Sequence, residues 1–490
     1  MGRGLRQGIG IAMMSGAVAF GAAGAAAAQA PPTGEPFAIE STALVPLDAE
    51  SAVSISGIHG QITIMTRDER ELRVVSRGPG PQGAELPVGM WQDGSKLIVA
   101  PAPGDKGGAS QLRVEVPRGF AIAVDAADSD ISIQSAWGGV DLHGTNLRVT
   151  VNGNSGSLIA DLEGGSLALR DSNEATLRVS GTAVDVSGMS GSVNVRAVGG
   201  KIVLGKISGS TDVESDESKL VLDGLSGSIH VKANKGEATI MGIKAGGELA
   251  MSGTPLHLKE GKGDITVTSD ASVDFETMEA SMHLDMYGGA LRGKGNKGIL
   301  EVRTRNTEIN VEAIEQGMRI QGDGVKAKIV DVGGELYVET TISEVVVDRA
   351  GSVDLRIDRG NATIQRAAGA VQAIVAGGDV HIIDGSGPVT LDLDGGDAEV
   401  SWASMSGDKE SKLTNKSGNV TVHFPASGVC RVEAKSKYGR IDTDLPTVKV
   451  MDDLTEAQGP VNGGYRPLVR VVANGDIHLL GAARVQDENN

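Results

Sequence analysis

Apolar and polar residues alternate with a period of two along most of this chain, and Gly, Ser, Asn or Asp breaks the alternation at short intervals. Ser192-Val193-Asn194-Val195-Arg196 followed by Lys201-Ile202-Val203-Leu204 is typical, as is Ser228-Ile229-His230-Val231 followed by Glu237-Ala238-Thr239-Ile240. Period two sends successive side chains to opposite faces of an extended backbone, so each run predicts a half-buried strand. Helical periodicity is nearly absent from about Gly138 to Gly439. The turn glycines set the spacing: Gly191, Gly209 and Gly227 recur every 18 residues, and so do Gly333, Gly351, Gly369 and Gly387. Each period contains two strands.

A fixed period sustained over this length marks a repeat architecture, in which no unit buries its apolar face alone and stacked units share one core. Antiparallel hairpins are the competing arrangement, but they favour two-residue Asn-Gly or Asp-Gly turns. Many breaks here are Gly-Gly or Ser-Gly running straight into the next strand. The expected fold is therefore all-β, a parallel β-helix-like solenoid of roughly 18-residue, two-strand coils. About 17 coils at ~4.8 Å each predict a rod on the order of 80 Å long.

The ends depart from this pattern. Residues 1–28 read as a secretory signal peptide: Arg3 and Arg6, an uncharged Ala/Gly-rich stretch from Ile9, and small residues at Ala26 and Ala28 before Gln29. Residues 29–119, with breaks such as Arg77-Gly78-Pro79-Gly80-Pro81, predict an irregular β cap shielding the open edge of the stack. The repeat region is expected over 120–446. Residues 447–490 supply an acidic linker, a last strand pair from Leu468 to Leu480 and a polar tail. No segment after the signal peptide has the ~18 uncharged apolar residues of a membrane span.

Composition narrows the function. Gly makes up 70 of the 490 residues, twice the ordinary ~7%. The formal charge is −18, or −20 once Arg3 and Arg6 are removed, and aromatic residues are scarce, as a narrow coil filled by Val, Ile, Leu and Ala requires. An acidic, aromatic-poor chain lacks what nucleic-acid binding needs, clustered cations and stacking faces. Cys430 is the single cysteine and sits inside a strand-like run, where a packed thiol is expected.

Several stretches resemble a known family. Gln111-Leu112-Arg113-Val114-Glu115-Val116-Pro117-Arg118-Gly119, leading into Ser129-Asp130-Ile131-Ser132-Ile133, is similar to the putative-adhesin family of exported bacterial β-strand repeat proteins, a domain of unknown function. So are the closing motifs Ser417-Gly418-Asn419-Val420, Tyr438-Gly439-Arg440-Ile441 and Asn474-Gly475-Asp476-Ile477. The resemblance implies export and a β-solenoid-like fold, and carries over no catalytic or binding residue. Breaks such as Met278-Glu279-Ala280 depart from its Ser-Gly habit.

Motifs that imitate chemistry yield to simpler readings. Gly288-Gly289-Ala290-Leu291-Arg292-Gly293-Lys294-Gly295 nearly spells a phosphate-binding loop, but Gly295 stands where Ser or Thr must hold Mg²⁺ and a strand follows instead of a helix. Gly322-Asp323-Gly324 lacks the helix of a dinucleotide site and reads as a turn. Two acidic groups, Asp392/Asp394/Asp397 and Asp125/Asp128/Asp130, have hard oxygen ligands for Ca²⁺, yet alternation turns Asp392 and Asp394 outward as solvated acids, and the tandem Ca²⁺ nonapeptide is absent. His59, His143, His230, His257, His283, His381, His423 and His478 have no metal spacing and read as outward strand residues. Asp354, Arg356, Asp358 and Arg359 most resemble the acid and base pairs of polysaccharide-cleaving β-helices, but opposite charges on one strand face read as a ladder pairing between coils. No catalytic, cofactor-binding or metal-binding residue is assigned and no cofactor is expected.

Three functions fit. The first is an exported, non-catalytic, adhesin-like module at the cell surface or in the periplasm, with an envelope or surface protein or a glycan as partner. The second is a periplasmic structural or sensory scaffold of the cell envelope. The third is a β-helix enzyme acting on polysaccharide.

Overall fold

The computed structural model describes residues 37–39, 42–46, 52–69, 71–77, 88–94, 96–101, 110–405 and 407–481, and every element among them is a β-strand. The expected signal peptide, residues 1–28, lies outside the described residues. The strands form a solenoid. Each coil contributes one strand to each of two parallel ladders, and the alternate residues that face inward, such as Val193, Val195, Ile202 and Leu204, are fully buried between them. Register is the repeat made physical: Val193 pairs with Thr211, Thr211 with Ile229 and Lys201 with Lys219, each 18 residues on. Some strands continue through the corner from one ladder to the other, including Val273–Tyr287, which carries the irregular Met278-Glu279-Ala280 break without losing register.

Two backbone devices hold the corners. The first is a column of residues with left-handed φ, running at 17- or 18-residue intervals from Asp171 through Lys206, Thr277 and Ala313 to Asp384. Non-glycine residues rarely adopt this conformation, which costs them about 1–2 kcal/mol. It persists because the in-register ladders on either side fix the corner. The second is glycine stacking. A Cβ on Gly209 would fall inside the carbonyl group of Gly191 and 2.7 Å from Ser192 N, and Gly227 meets Gly209 in the same way. The 18-residue glycine spacing therefore reflects close backbone approach between coils.

A third device appears near the C-terminal end as a ladder of side chains that copy the backbone bond. Asn361 Oδ1 accepts a hydrogen bond from Asp379 N at 2.9 Å, and Asp379 Oδ1 accepts one from Asp397 N at 2.9 Å. Asp397 Oδ1 then accepts from Asn419 N at 2.8 Å, Asn419 Oδ1 from Asp476 N at 2.9 Å, and Asp476 Oδ1 from Arg440 N at 2.8 Å. Each acceptor follows a glycine of one stacked column, Gly360, Gly378, Gly396, Gly418 and Gly475. In each case the Gly-Asx pair is followed directly by Ala, Val or Ile, as in Gly418-Asn419-Val420 and Gly475-Asp476-Ile477.

That ladder passes from 419 to 476 and back to 440, so chain order and stacking order part company. Leu468–Ala473 lies between Ser411–Asn415 and Cys430–Ser436, parallel to both. Ile477–Gly481 lies between Val420–Phe424 and Ile441–Thr443. Outside them Glu456–Val461 runs antiparallel to Cys430–Ser436 and closes that edge. The N-terminal end repeats the device. Ala52–Ser56 sits between Lys96–Pro101 and Ala121–Ala127, and Gly60–Arg67 between Ser110–Pro117 and Ser129–Gln134. Antiparallel strands Glu71–Arg77 and Val88–Asp93 cover the outer edge. Two strand pairs from the stretch expected as an irregular cap thus belong to the stack itself.

Outward charges pair along the stack. Lys219 meets Glu237 at 2.9 Å, and Lys262 and Lys297 both reach Glu279 at 2.7 Å from the coils on either side. Hydrogen bonds first from Lys262 and then from Lys297 hold the Glu279 carboxyl at about 2, below its ordinary 4.5.

Two outcomes follow from these contacts. Gly209→Ala should lower stability by roughly 2–4 kcal/mol through backbone collision. Gly181→Ala should cost only about 1 kcal/mol, because Gly181 has left-handed φ but open space around it; thermal melting of the two variants would show the difference. A carboxyl depressed in the folded state stabilises above its unfolded value and loses that contribution as pH falls toward its folded value. The melting difference between the wild type and Glu279→Gln should therefore be full at pH 6, shrink between pH 4.5 and 2, and narrow in high salt.

Candidate functional site

Outward residues of the coils between Gly317 and Lys416 enclose a cleft of about 500 Å³ on one ladder. Its shape follows from register. Gln321, Glu339, Arg356, Ile374, Asp392 and Thr414 stand in one column, each paired with the next. The coil Val371–Val375 presents Ile374 there and Ala376 just beyond the strand, uncharged side chains between the charged residues of neighbouring coils. The dip lies over them.

The walls carry fixed charge. Glu339 Oε2 accepts hydrogen bonds from Gln321 Nε2 and from the Tyr337 hydroxyl, each at 2.9 Å. The bond from Gln321, then that from Tyr337, holds the Glu339 carboxyl below its ordinary range. Burial, with the hydrogen bond to Glu339, pushes the Tyr337 hydroxyl up. The Arg319 guanidinium lies 4.4 Å from the Tyr337 ring centroid and that of Arg356 lies 5.5 Å away. Arg356 also bonds Asp354 at 3.2 Å, which raises its pKa further. At the other end Lys416 Nζ stands 3.8 Å from Asp392 and 3.7 Å from Asp394.

The cleft thus unites two sets that the sequence kept apart, Arg356 and Asp358 from one and Asp392 and Asp394 from the other. Asp354 and Arg356 pair within one strand, and Arg359 pairs with Asp358 beside it, so this charge group does not form the between-coil ladder expected of it. Asp397 lies apart, its Oδ1 bonded to Asn419 N in the Asx ladder. In the other acidic set, Asp128 Oδ1 accepts from Asn146 at 3.0 Å and Asp130 faces Arg148 at 3.7 Å. Among the described residues no group of three or more His, Cys, Asp or Glu is arranged to hold a metal ion. His230, His257, His283 and His381 each face one carboxylate on the next coil, His143 and His478 each meet one as well, His423 meets Glu399 from the side opposite His381, and His59 Nδ1 lies 3.1 Å from the Ala127 carbonyl. Gly288 and Gly289 form a turn, and Gly293 faces the Phe275 ring, which occupies the space of its missing side chain. Gly322 lies within the strand Gly317–Asp323, and Gly324 turns after it with left-handed φ.

Tyr337, Glu339, Gln321, Ile374 and Lys416 were not singled out by motif. Writing each coil beneath its predecessor at the 17-, 18- and 22-residue offsets of the ladder brings them into neighbouring columns.

Cys430 is buried in a strand, and burial pushes its thiol up to about 12. Because the thiolate is the reactive form, a thiol reagent at pH 8 should leave the folded protein unlabelled and modify one site per chain after denaturation. Rapid labelling without unfolding would contradict this packing.

Comparison with known proteins bears on fold and kinship. No curated protein matches the chain. A crystal structure of a putative cell adhesion protein from Clostridium sporogenes is 7% identical, with the alignment covering 91% of this chain and 100% of that one at a TM-score of 0.12. The resemblance seen in the strand-closing motifs is borne out where they are densest: residues 294–479 match the model of the Toastrack family, DUF4097.

Proposed function

We propose that this protein is an exported, non-catalytic interaction module that holds an envelope or surface partner, protein or glycan, through the outward face around the 321–416 cleft. The observation that carries the reading is the fixed pattern of bonded charge: Glu339 accepts from Gln321 and Tyr337, and Lys416 stands within 4 Å of Asp392 and Asp394. Glu339 is moved down, and Tyr337 and Arg356 are moved up. General acid–base catalysis wants groups tuned toward neutral pH; these are tuned away from it and serve as fixed acceptors and donors. They stand on strands locked by neighbours on both sides, which suits a surface that must keep its pattern. Export rests on the Arg3/Arg6 start and the small residues before Gln29.

Protease shaving of intact and permeabilised cells tests the location. Digestion in intact cells supports the adhesin-like module. Digestion only after the outer membrane is opened removes the surface role and leaves the periplasmic scaffold. The cleft is tested with the purified mature chain on envelope fractions and a glycan panel. Reversing both cleft cations, Arg356→Glu with Lys416→Glu, should reduce binding at least tenfold with the melting temperature within a few degrees of wild type. Unchanged binding would remove the cleft from the reading, and turnover of any polysaccharide would overturn the non-catalytic assignment.

A further inference from the structure

The ladder face that carries the cleft continues, on the N-terminal side of Gln321, over the strands Val273–Tyr287, Ile299–Arg305 and Gly317–Asp323. Three arginines stand outward there. Arg303 and Arg305 alternate with the buried Val302 and Thr304, and Arg319 stands one coil on, in register between Glu301 and Tyr337. Strand geometry puts Arg303 and Arg305 ~6.6 Å apart along the chain and spreads the three positions over ~14 Å. Beside Arg305, one coil back, is Tyr287, 57% exposed in a chain with few aromatic residues.

These guanidinium groups make no ion pair or hydrogen bond among the described residues, because the carboxylates nearest in register are engaged elsewhere. Glu301 meets His283 at 3.1 Å, Asp323 accepts from the Thr341 hydroxyl, and Glu339 accepts from Gln321 and Tyr337. Asp285, the ladder partner of Arg303, stays outside ion-pair distance of it. Arg319 is held instead by the Tyr337 ring, 4.4 Å from its centroid, a contact that uses its charge and leaves its N–H donors unspent. The net charge of −18 does not cancel this cluster. Exposed charges are screened over ~8 Å at physiological ionic strength, so acids more than two coils away act weakly here.

We propose that Tyr287, Arg303, Arg305 and Arg319 form a binding site for an acidic polysaccharide of the uronate type, its carboxylates taken by the guanidinium groups and one sugar ring laid on Tyr287. Guanidinium matches carboxylate with two parallel hydrogen bonds, and the tyrosine ring offers an apolar face to a sugar's C–H groups. Charges spread along the face suit carboxylates repeated on a chain better than one small anion. The strands favour a sugar chain over a peptide. Ile299–Arg305 lies between Val273–Tyr287 and Gly317–Asp323, which in turn pairs with Lys326–Thr341, so the backbone here has no open edge to accept a peptide as an added strand. Recognition falls to side chains alone. The site adjoins the 321–416 cleft but shares no lining residue with it, and either can fail without the other.

The test is calorimetric titration of the full mature chain with an alginate oligosaccharide, which carries a carboxylate on every sugar. The same oligosaccharide with its carboxyls methyl-esterified and a poly-glutamate peptide of equal charge are titrated beside it. The acid form should bind and weaken with added salt, and the ester and the peptide should each bind about tenfold more weakly or not at all. Arg303→Ala with Arg305→Ala should cost about tenfold in affinity for the acid form, and Tyr287→Ala about threefold. All three side chains point outward, so the melting temperatures should stay within a few degrees of wild type. No binding of the acid form, equal binding of the ester, or unchanged binding by the double arginine variant overturns the proposal. Equal binding of poly-glutamate overturns it as well, since the arginines would then read charge alone.

Discussion

Every residue in this solenoid rests on its equivalent one coil away, and that in-register parallel stacking is the constraint from which the other features follow. The two ladders require each coil to repeat the path of the last within a strand spacing of about 4.8 Å. Core positions must then match in size from coil to coil, which is why Val, Ile, Leu and Ala fill them. A large ring fits where a neighbour gives way, as Gly293 does for Phe275, or stacks on another ring, as Phe424 does on Trp402. The same constraint explains the corners. Once both flanking strands are fixed, the residue between them must adopt left-handed φ whether it is Gly224 or Lys206, and the strain is carried by the ladders.

Stacking of this kind leaves an open edge at each end, and an unpaired strand edge invites pairing with other chains. The chain closes both ends in the same way. It builds the outermost parallel coil from an internal part of its sequence, covers that coil with antiparallel strands, and places its first or last parallel strand pair one layer inside, while Phe37–Ile39 and Thr42–Pro46 add a further antiparallel layer outside at the N-terminal end. The first and last parallel strand pairs therefore have hydrogen-bonded neighbours on both sides. The antiparallel cover also ends the repeat, since its register does not continue the parallel one.

On the outside the same stacking turns sequence spacing into surface chemistry. Side chains 17 or 18 residues apart become neighbours, so Lys262, Glu279 and Lys297 form one charge row although the sequence separates them widely. The cleft is a local failure of that row. Ile374 and Ala376 interrupt a run of long charged residues and leave Glu339 and Arg356 on one side and Asp392, Asp394 and Lys416 on the other. Such a surface presents charge on strands paired with neighbours on both sides.

Strand content, the two-strand coil, its period and the parallel solenoid were legible in the sequence, because period-two alternation and recurrent glycines are local signals that each coil states afresh. So was the reading of the phosphate-loop and dinucleotide imitations as turns, since the helix they need was missing from the pattern. The order of the terminal coils was not legible. Asn474-Gly475-Asp476-Ile477 carries the same motif as Ser417-Gly418-Asn419-Val420, and a motif that fits any coil says nothing about which coil it joins. The cleft was hidden for a related reason: its lining comes from six successive coils, and Ile374 or Lys416 alone is an ordinary outward residue. Local alternation determined what each segment became, and only the stacking of the whole chain decided which segments became neighbours, because the ladder bonds that choose neighbours are alike in every coil.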